Sequence, residues 1–224
     1  MQLDTELRIE QNKVLLPFIT LKIGNKTIII IGMLHVASRA YFEVVLSRLN
    51  SYESAGFKIL YEDIESVPSA SQENLDNLLK GLEMYGLYSQ LSFIQPKTSW
   101  VSADVSPEEM VKNFPQVEDY AENMKNPEKY LQEILLPELR GSGPEIPNIE
   151  FVINTRNQSA VNAILKHIEN GNVATYWGCA HMPGMIHLLE QSSFTIKSIE
   201  WIEAIDIEKI STGFCTLRSS GHRD

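Results

Sequence analysis

Apolar residues in this chain fall into short continuous runs separated by more polar, helix-patterned stretches. Residues 14–23, VLLPFITLKI, and 27–33, TIIIIGM, flank Gly24-Asn25-Lys26. Two β-prone runs about such a turn predict a hairpin, and Pro17 predicts an edge position for its first strand. Ser38 predicts the cap of a helix running to about residue 55, where Gly56 stops it. Residues 57–63, FKILYED, read as the next strand, so strand, helix and strand predict a βαβ unit with a right-handed crossover. Leu75, Leu78, Leu79, Leu82 and Leu87 recur at helical spacing and predict a helix over 71–91. Residues 99–104, SWVSAD, predict a short strand. Ser106-Pro107-Glu108-Glu109 then has the form of a capping box with proline at the first helical position, opening a polar helix to about residue 139. Gly141-Ser142-Gly143-Pro144 and Pro147 predict a loop. A helix over about 149–170, a strand from 173, a short helix over 184–191 and a strand over 194–204 complete the pattern.

One motif occurs twice. Residues 27–37 read TIIIIGMLHVA and residues 173–183 read VATYWGCAHMP. Each is an apolar run ending in Gly-x-x-His, with Gly32 and His35 in the first and Gly178 and His181 in the second. Such runs predict strands buried on both faces, as in parallel sheets. Ligands of open α/β sheets bind beyond the carboxyl ends of the strands. Two histidines far apart in sequence can therefore meet at one site.

The 224 residues suit one α/β domain: a mixed, mainly parallel sheet with an N-terminal hairpin, flanking helices and a helical insert over about 65–148. A net charge of −10 without a Lys/Arg cluster argues against nucleic acid and anionic membranes as partners. Two cysteines give no disulfide framework, and no run is long enough to span a bilayer. With no signal-peptide pattern at the N-terminus, the expected location is cytoplasmic. The polar tail SSGHRD, with His222, is expected to fray.

Several residues could carry chemistry, each with a plainer reading beside it. A lone histidine is usually structural, but two at predicted strand ends make His35 and His181 candidate metal ligands or acid/base groups. Glu62 ends the run ILYED on the same sheet edge; Asp63 beside it leaves the choice between them open. Asp104 follows Trp100-Val101-Ser102-Ala103 and is either a site carboxylate or part of the turn into the next helix. Asn157 shares a helical face with Ile153, Ala160 and Ile164, and Arg156 borders it. A polar residue on an apolar face needs a partner, so the pair either reaches the site or makes a structural hydrogen bond. Cys179 reads as a small buried residue, and His167 and His187 as structural.

These residues resemble a family. GMLHVA, the strand-end glutamate of LYED, the helix with RNQ, and GCAHMPGM are similar to the TraB/PrgY group. That group is related to the Tiki metalloproteases and more distantly to erythromycin-esterase and ChaN-like proteins. The resemblance runs from about residue 20 to 204. Met33-Leu34 stands where the family often has small polar residues, and the C-terminal membrane segments of some members are absent. The resemblance implies a divalent-metal site on His35, Glu62 and His181, with manganese, cobalt or zinc as the ion. It also implies either a metal-dependent, peptidase-like hydrolase or a non-catalytic protein that sequesters a peptide, haem or another small ligand.

The expected site thus comprises His35, Glu62, Asp104, Arg156, Asn157 and His181, under an insert whose Tyr85 and Tyr88 would line a lid or merely pack. An exposed hairpin strand would offer a second copy of the chain an edge on which to pair.

Overall fold

The two Gly-x-x-His runs lie side by side. β3 (Lys26–Met33) and β8 (Val173–Gly178) pair in parallel, from Ile28 opposite Val173 to Met33 opposite Gly178. Ile28 to Met33 and Val173 to Trp177 are all buried, as strands covered on both faces require. The structure, a computed structural model, describes residues 5–63, 72–106, 109, 127–139 and 149–210.

On the far side of β8, β5 (Lys58–Tyr61) pairs with it in parallel, and β7 (Val101–Ser102) continues the sheet beyond β5. On the near side, β2 (Lys13–Ile23) runs antiparallel to β3 across the turn at Gly24, which holds a φ of +54°. β9 (Thr195–Asp206) lies antiparallel along the other edge of β2, and β1 (Arg8–Glu10) pairs with its first residues. The main sheet therefore runs β9-β2-β3-β8-β5-β7, antiparallel at one end and parallel where the site lies. A small second sheet joins β4 (Val36–Ser38) to β6 (Leu87–Ser89).

Helix α1 (Arg39–Ser54) starts where Ser38 Oγ accepts from the Tyr41 N–H, and the chain turns away at Gly56 with a φ of +82°. α2 spans Gln72–Glu83. The next helical stretch, α3, consists of Pro127–Tyr130, a π-helical Leu131–Leu135 and Leu136–Leu139. α4 (Ile149–Ile168) buries Val152, Asn157, Ala160, Val161, Ile164 and Ile168. α5 (Met182–Gln191) follows β8 after a single 3₁₀ turn, Cys179–His181.

Three expectations need correction, and the βαβ unit gains an intervening strand. Pro17 does not mark an edge, because β2 is flanked by β3 on one side and β9 on the other. It is tolerated because β1 pairs only as far as Leu15 and β3 only from Phe18, so that edge carries no ladder at Pro17. The helix expected over 71–91 ends at Glu83: Gly86, at a φ of +72°, turns the chain into β6. β3 and β5 belong to one parallel sheet but are not neighbours, since β8 enters between them. The strand over 99–104 shrinks to Val101–Ser102. Ser106 and Glu109 do exchange the two hydrogen bonds of a capping box. Ser71, Pro107, Glu108, the 141–147 loop and His222 lie outside the described residues.

Candidate active site

The carboxyl ends of β5, β7 and β8 deliver three of the candidate side chains, and α4 delivers two more. Backbone bonds carry the chain just past each strand: the Glu62 N–H donates to the Tyr176 carbonyl at 3.2 Å, and the Ala103 N–H to the Tyr61 carbonyl at 3.0 Å. Glu62 and Asp104 thus emerge next to each other, and both side chains are almost fully buried.

Arg156 reaches in from α4 and binds them both. Its Nε and Nη2 donate to Asp104 Oδ1 and Oδ2 at 2.9 and 2.5 Å, a bidentate pairing. Nη2 also donates to Glu62 Oε1 at 2.6 Å. The second Glu62 oxygen accepts from the Gly178 N–H at 2.6 Å. A Cβ at Gly178 would come within 3.3 Å of that same oxygen, so the motif glycine donates through its backbone and leaves room for the carboxylate. Burial opposes ionisation of Glu62. His35, Arg156, His181 and the Gly178 N–H outweigh it and hold the carboxyl below its ordinary range.

His181 completes the cluster from the 3₁₀ turn after β8. Its Nδ1 is 2.7 Å from Asn157 Oδ1, and its Nε2 is 3.3 Å from Arg156 Nη1 and 3.8 Å from Glu62 Oε1. Burial pushes its pKa down to about 4, with Arg156 and His35 acting in the same direction and Glu62 and Asp104 against it. The ring is therefore neutral near pH 7. A guanidinium has only donors, so the nitrogen facing it must accept. That places the ring proton on Nδ1, where Asn157 Oδ1 receives it, while Nε2 accepts from Arg156 Nη1. The edge of the Trp177 indole meets the same ring at 5.3 Å between centroids. Asn157 is itself wedged in place: a Cβ at Gly184 would lie 2.2 Å from its Nδ2.

His35 occupies a different setting. It lies on the turn between β3 and β4, is exposed, and has Nδ1 3.3 Å from Gln90 Oε1. The Gln90 N–H donates to the His35 carbonyl at 2.8 Å, fastening the two segments together. A cavity of about 390 Å³ opens beside the cluster, lined by Tyr61, Glu62, Asp63, Gln90, Leu91, Ile94, Gln95, Pro96 and Tyr176.

Glu62, Asp104, Arg156, Asn157 and His181 thus form one connected buried cluster, with His35 close enough to act on Glu62 electrostatically. Of the two adjacent acids, Glu62 touches His181, whereas Asp63 lines the cavity and takes a 3.3 Å contact from its N–H to Asp104. Tyr85 and Tyr88 do not line the cavity; Tyr88 packs edge-on against Phe93. Among the described residues, the insert's contribution to the cavity comes instead from Gln90, Leu91, Ile94, Gln95 and Pro96. Cys179 is buried and its thiol is pushed up to about 12 by that burial, which makes it inert. His167 and His187 lie elsewhere on α4 and α5.

Sequence reasoning missed Gln90 and Gly184. Gln90 sat inside a stretch read as helix, and only Gly86 before β6 signalled otherwise. Gly184 lies in GCAHMPGM, where nothing local signals that a helix from elsewhere in the chain packs against it.

Two imidazoles and a carboxylate are a donor set suited to a divalent ion. A neutral histidine whose Nδ1–H is held by an outer oxygen is oriented as metal-binding histidines usually are. Two carboxylates against one guanidinium also leave the cluster with negative charge to offset. Among the described residues, however, no three His, Cys, Asp or Glu side chains close on one point as they stand. The Arg156 guanidinium reaches both Glu62 and His181, and His35 stands at the rim. No helix among the described residues is long and apolar enough to cross a membrane. No family profile, curated protein or solved structure matches the chain.

Proposed function

We propose that this chain is a hydrolase of peptide or other amide bonds, acting at the carboxyl edge of β5, β7 and β8 with a divalent ion held by His35, Glu62 and His181. One observation carries the reading: a buried neutral imidazole stands 3.8 Å from a buried ionised carboxylate, next to a cavity large enough for part of a substrate. The resemblance to TraB/PrgY and Tiki proteins supports the same assignment. When bound, such an ion supplies Lewis-acid polarisation of the scissile carbonyl and a lowered pKa for water.

The chain's own groups do the rest. Asn157 Oδ1 accepts the His181 Nδ1–H, which would present Nε2 to the ion. Glu62, held by Gly178 and Arg156, keeps a fixed negative charge beside it. Arg156 Nη1 donates to His181 Nε2 and so keeps a cation beside both His181 and Glu62.

A second reading drops the ion. Arg156 already supplies a cation to both Glu62 and His181, which favours hydrolysis by His181 as general base alone. The deciding experiment measures the metal content of protein purified without chelator or added metal, then cleavage of a peptide library with and without chelator. Stoichiometric metal and chelator-sensitive cleavage support the first reading. Chelator-resistant cleavage abolished by His181→Ala supports the second. Tight peptide binding without turnover would leave a sequestering protein.

A further inference from the structure

Gln90 is the most buried polar side chain of the cavity wall outside the charged cluster, with 2% exposure. Its Oε1 faces His35 Nδ1. Among the described residues nothing accepts from its Nε2, and that nitrogen is not among the sealed, unpartnered atoms of the interior. A buried carboxamide thus presents a donor pair to the cavity. Leaving such a donor unmet costs about 1–3 kcal/mol in a dry site, so a ligand that supplies an acceptor gains from it.

The surroundings say which acceptor. Among the described residues the cavity is lined by two acids, Glu62 and Asp63, and by no cation. Arg156 is engaged by Asp104 and Glu62. A carboxylate or phosphate entering here would meet like charge, whereas a neutral carbonyl would not. Leu91, Ile94 and Pro96, with the stacked rings of Tyr61 and Tyr176, supply apolar wall for the flanking groups.

We propose that Gln90 is a substrate-binding residue: its Oε1 holds His35 while its Nε2 donates to a neutral amide carbonyl of the substrate, so that the occupied cavity and the first motif histidine are joined through one side chain. The inference rests on the hydrolase reading for the word substrate, but the binding it predicts can be measured without turnover. It makes the preferred ligand a neutral amide and excludes a terminal carboxylate from this cavity.

The test is an NMR titration with N-acetyl-leucine N-methylamide and, in parallel, with N-acetyl-leucine as its free carboxylate. In the wild-type protein the Gln90 side-chain NH₂ resonances are expected to shift with the amide, and the carboxylate is expected to bind at least tenfold more weakly. Gln90→Glu keeps an oxygen for His35 but removes the donor. It should weaken amide binding at least tenfold while long-range ¹⁵N spectra show the His35 tautomer unchanged. If the Gln90 NH₂ signals stay fixed while the amide binds, or the amide does not bind, the proposal fails. Equal affinity of wild type and Gln90→Glu would likewise leave Gln90 as a support for His35 alone. Gln90-dependent amide binding without cleavage would uphold this inference and overturn the hydrolase reading. Cleavage indifferent to Gln90→Glu would do the reverse.

Discussion

The two Gly-x-x-His segments share a pattern but not an environment. Both follow buried parallel strands, and in both the histidine Nδ1 meets a side-chain amide oxygen: Gln90 for His35 and Asn157 for His181. His181 is 5% exposed and sits within a buried ionic cluster, whereas His35 is exposed at the rim. The cause is local. After Gly178 the chain turns directly through one 3₁₀ turn into α5, which tucks His181 inward. After Gly32 it passes into β4 and the small second sheet, which leaves His35 outward. The register adds to this, because Gly32 pairs with Trp177 and not with Gly178. A repeated motif therefore reaches two different settings: a floor that is buried in an ionic cluster and a rim that is exposed beside it.

The sharpest way to break the comparison is to remove the cation of the floor. Arg156→Met should destabilise the protein by about 3–5 kcal/mol, because it strands Glu62 and Asp104 as buried charges. The unfolding midpoint in urea reads this directly, and a loss below about 1 kcal/mol would mean that the cluster is far wetter than its burial implies.

Acid should separate the two histidines next. A histidine with a depressed folded pKa contributes stability above its unfolded value and loses it as pH falls through the folded one. For His181 the window runs from 6.5 down to about 4, and it corresponds to about 3 kcal/mol. Glu62, also depressed, acts in the same direction below its ordinary value of 4.5. Urea unfolding at pH 7 and pH 4.5 should show the loss in wild type and in His35→Ala. In His181→Ala the slope across this window should flatten.

A smaller effect tests how the floor is aligned. Gly184→Ala places a Cβ against Asn157 Nδ2, and relief by moving Asn157 releases the His181 Nδ1–H. Overpacking of this kind costs about 1–3 kcal/mol. Calorimetry should register that cost, and long-range ¹⁵N spectra should show a mixture of His181 tautomers while His35 stays as it was.

The smallest effect belongs to the rim. His35→Ala should change stability by less than about 0.5 kcal/mol, as exposed substitutions usually do, while impairing whatever the site binds or cleaves. A stability loss matching that of His181→Ala would erase the distinction between floor and rim.

Much of this was legible in the residues, for identifiable reasons. Continuous apolar runs reveal buried strands, and Gly-x-x-His marks where they end, so β3, β5 and β8 could be read directly. Asn157 stood out because an amide on the face of Ile153 and Ile164 must find a partner. The insertion of β8 between β3 and β5 could not be read, since every one of these strands is equally apolar and nothing local states the order. Pro17 misled because its exclusion from ladders applies bond by bond, and the gap between β1 and β3 satisfies it. Gln90 was hidden by leucine spacing that continues past Gly86, where backbone geometry overrides periodicity.

The late arrival of β8 also orders assembly. When residues 8–61 have left the ribosome, β2, β3 and α1 can form from local contacts, but β3 and β5 then have no strand between them. The gap closes only after more than a hundred further residues, a non-local and therefore slow pairing, exceeded in sequence separation by that of β9 with β2. Until then two apolar parallel edges stand open to other chains. The same strand that carries Gly178 to Glu62 thus fills the centre of the sheet, so the buried cluster and the cover of these two edges are completed together, before β9 adds to β2.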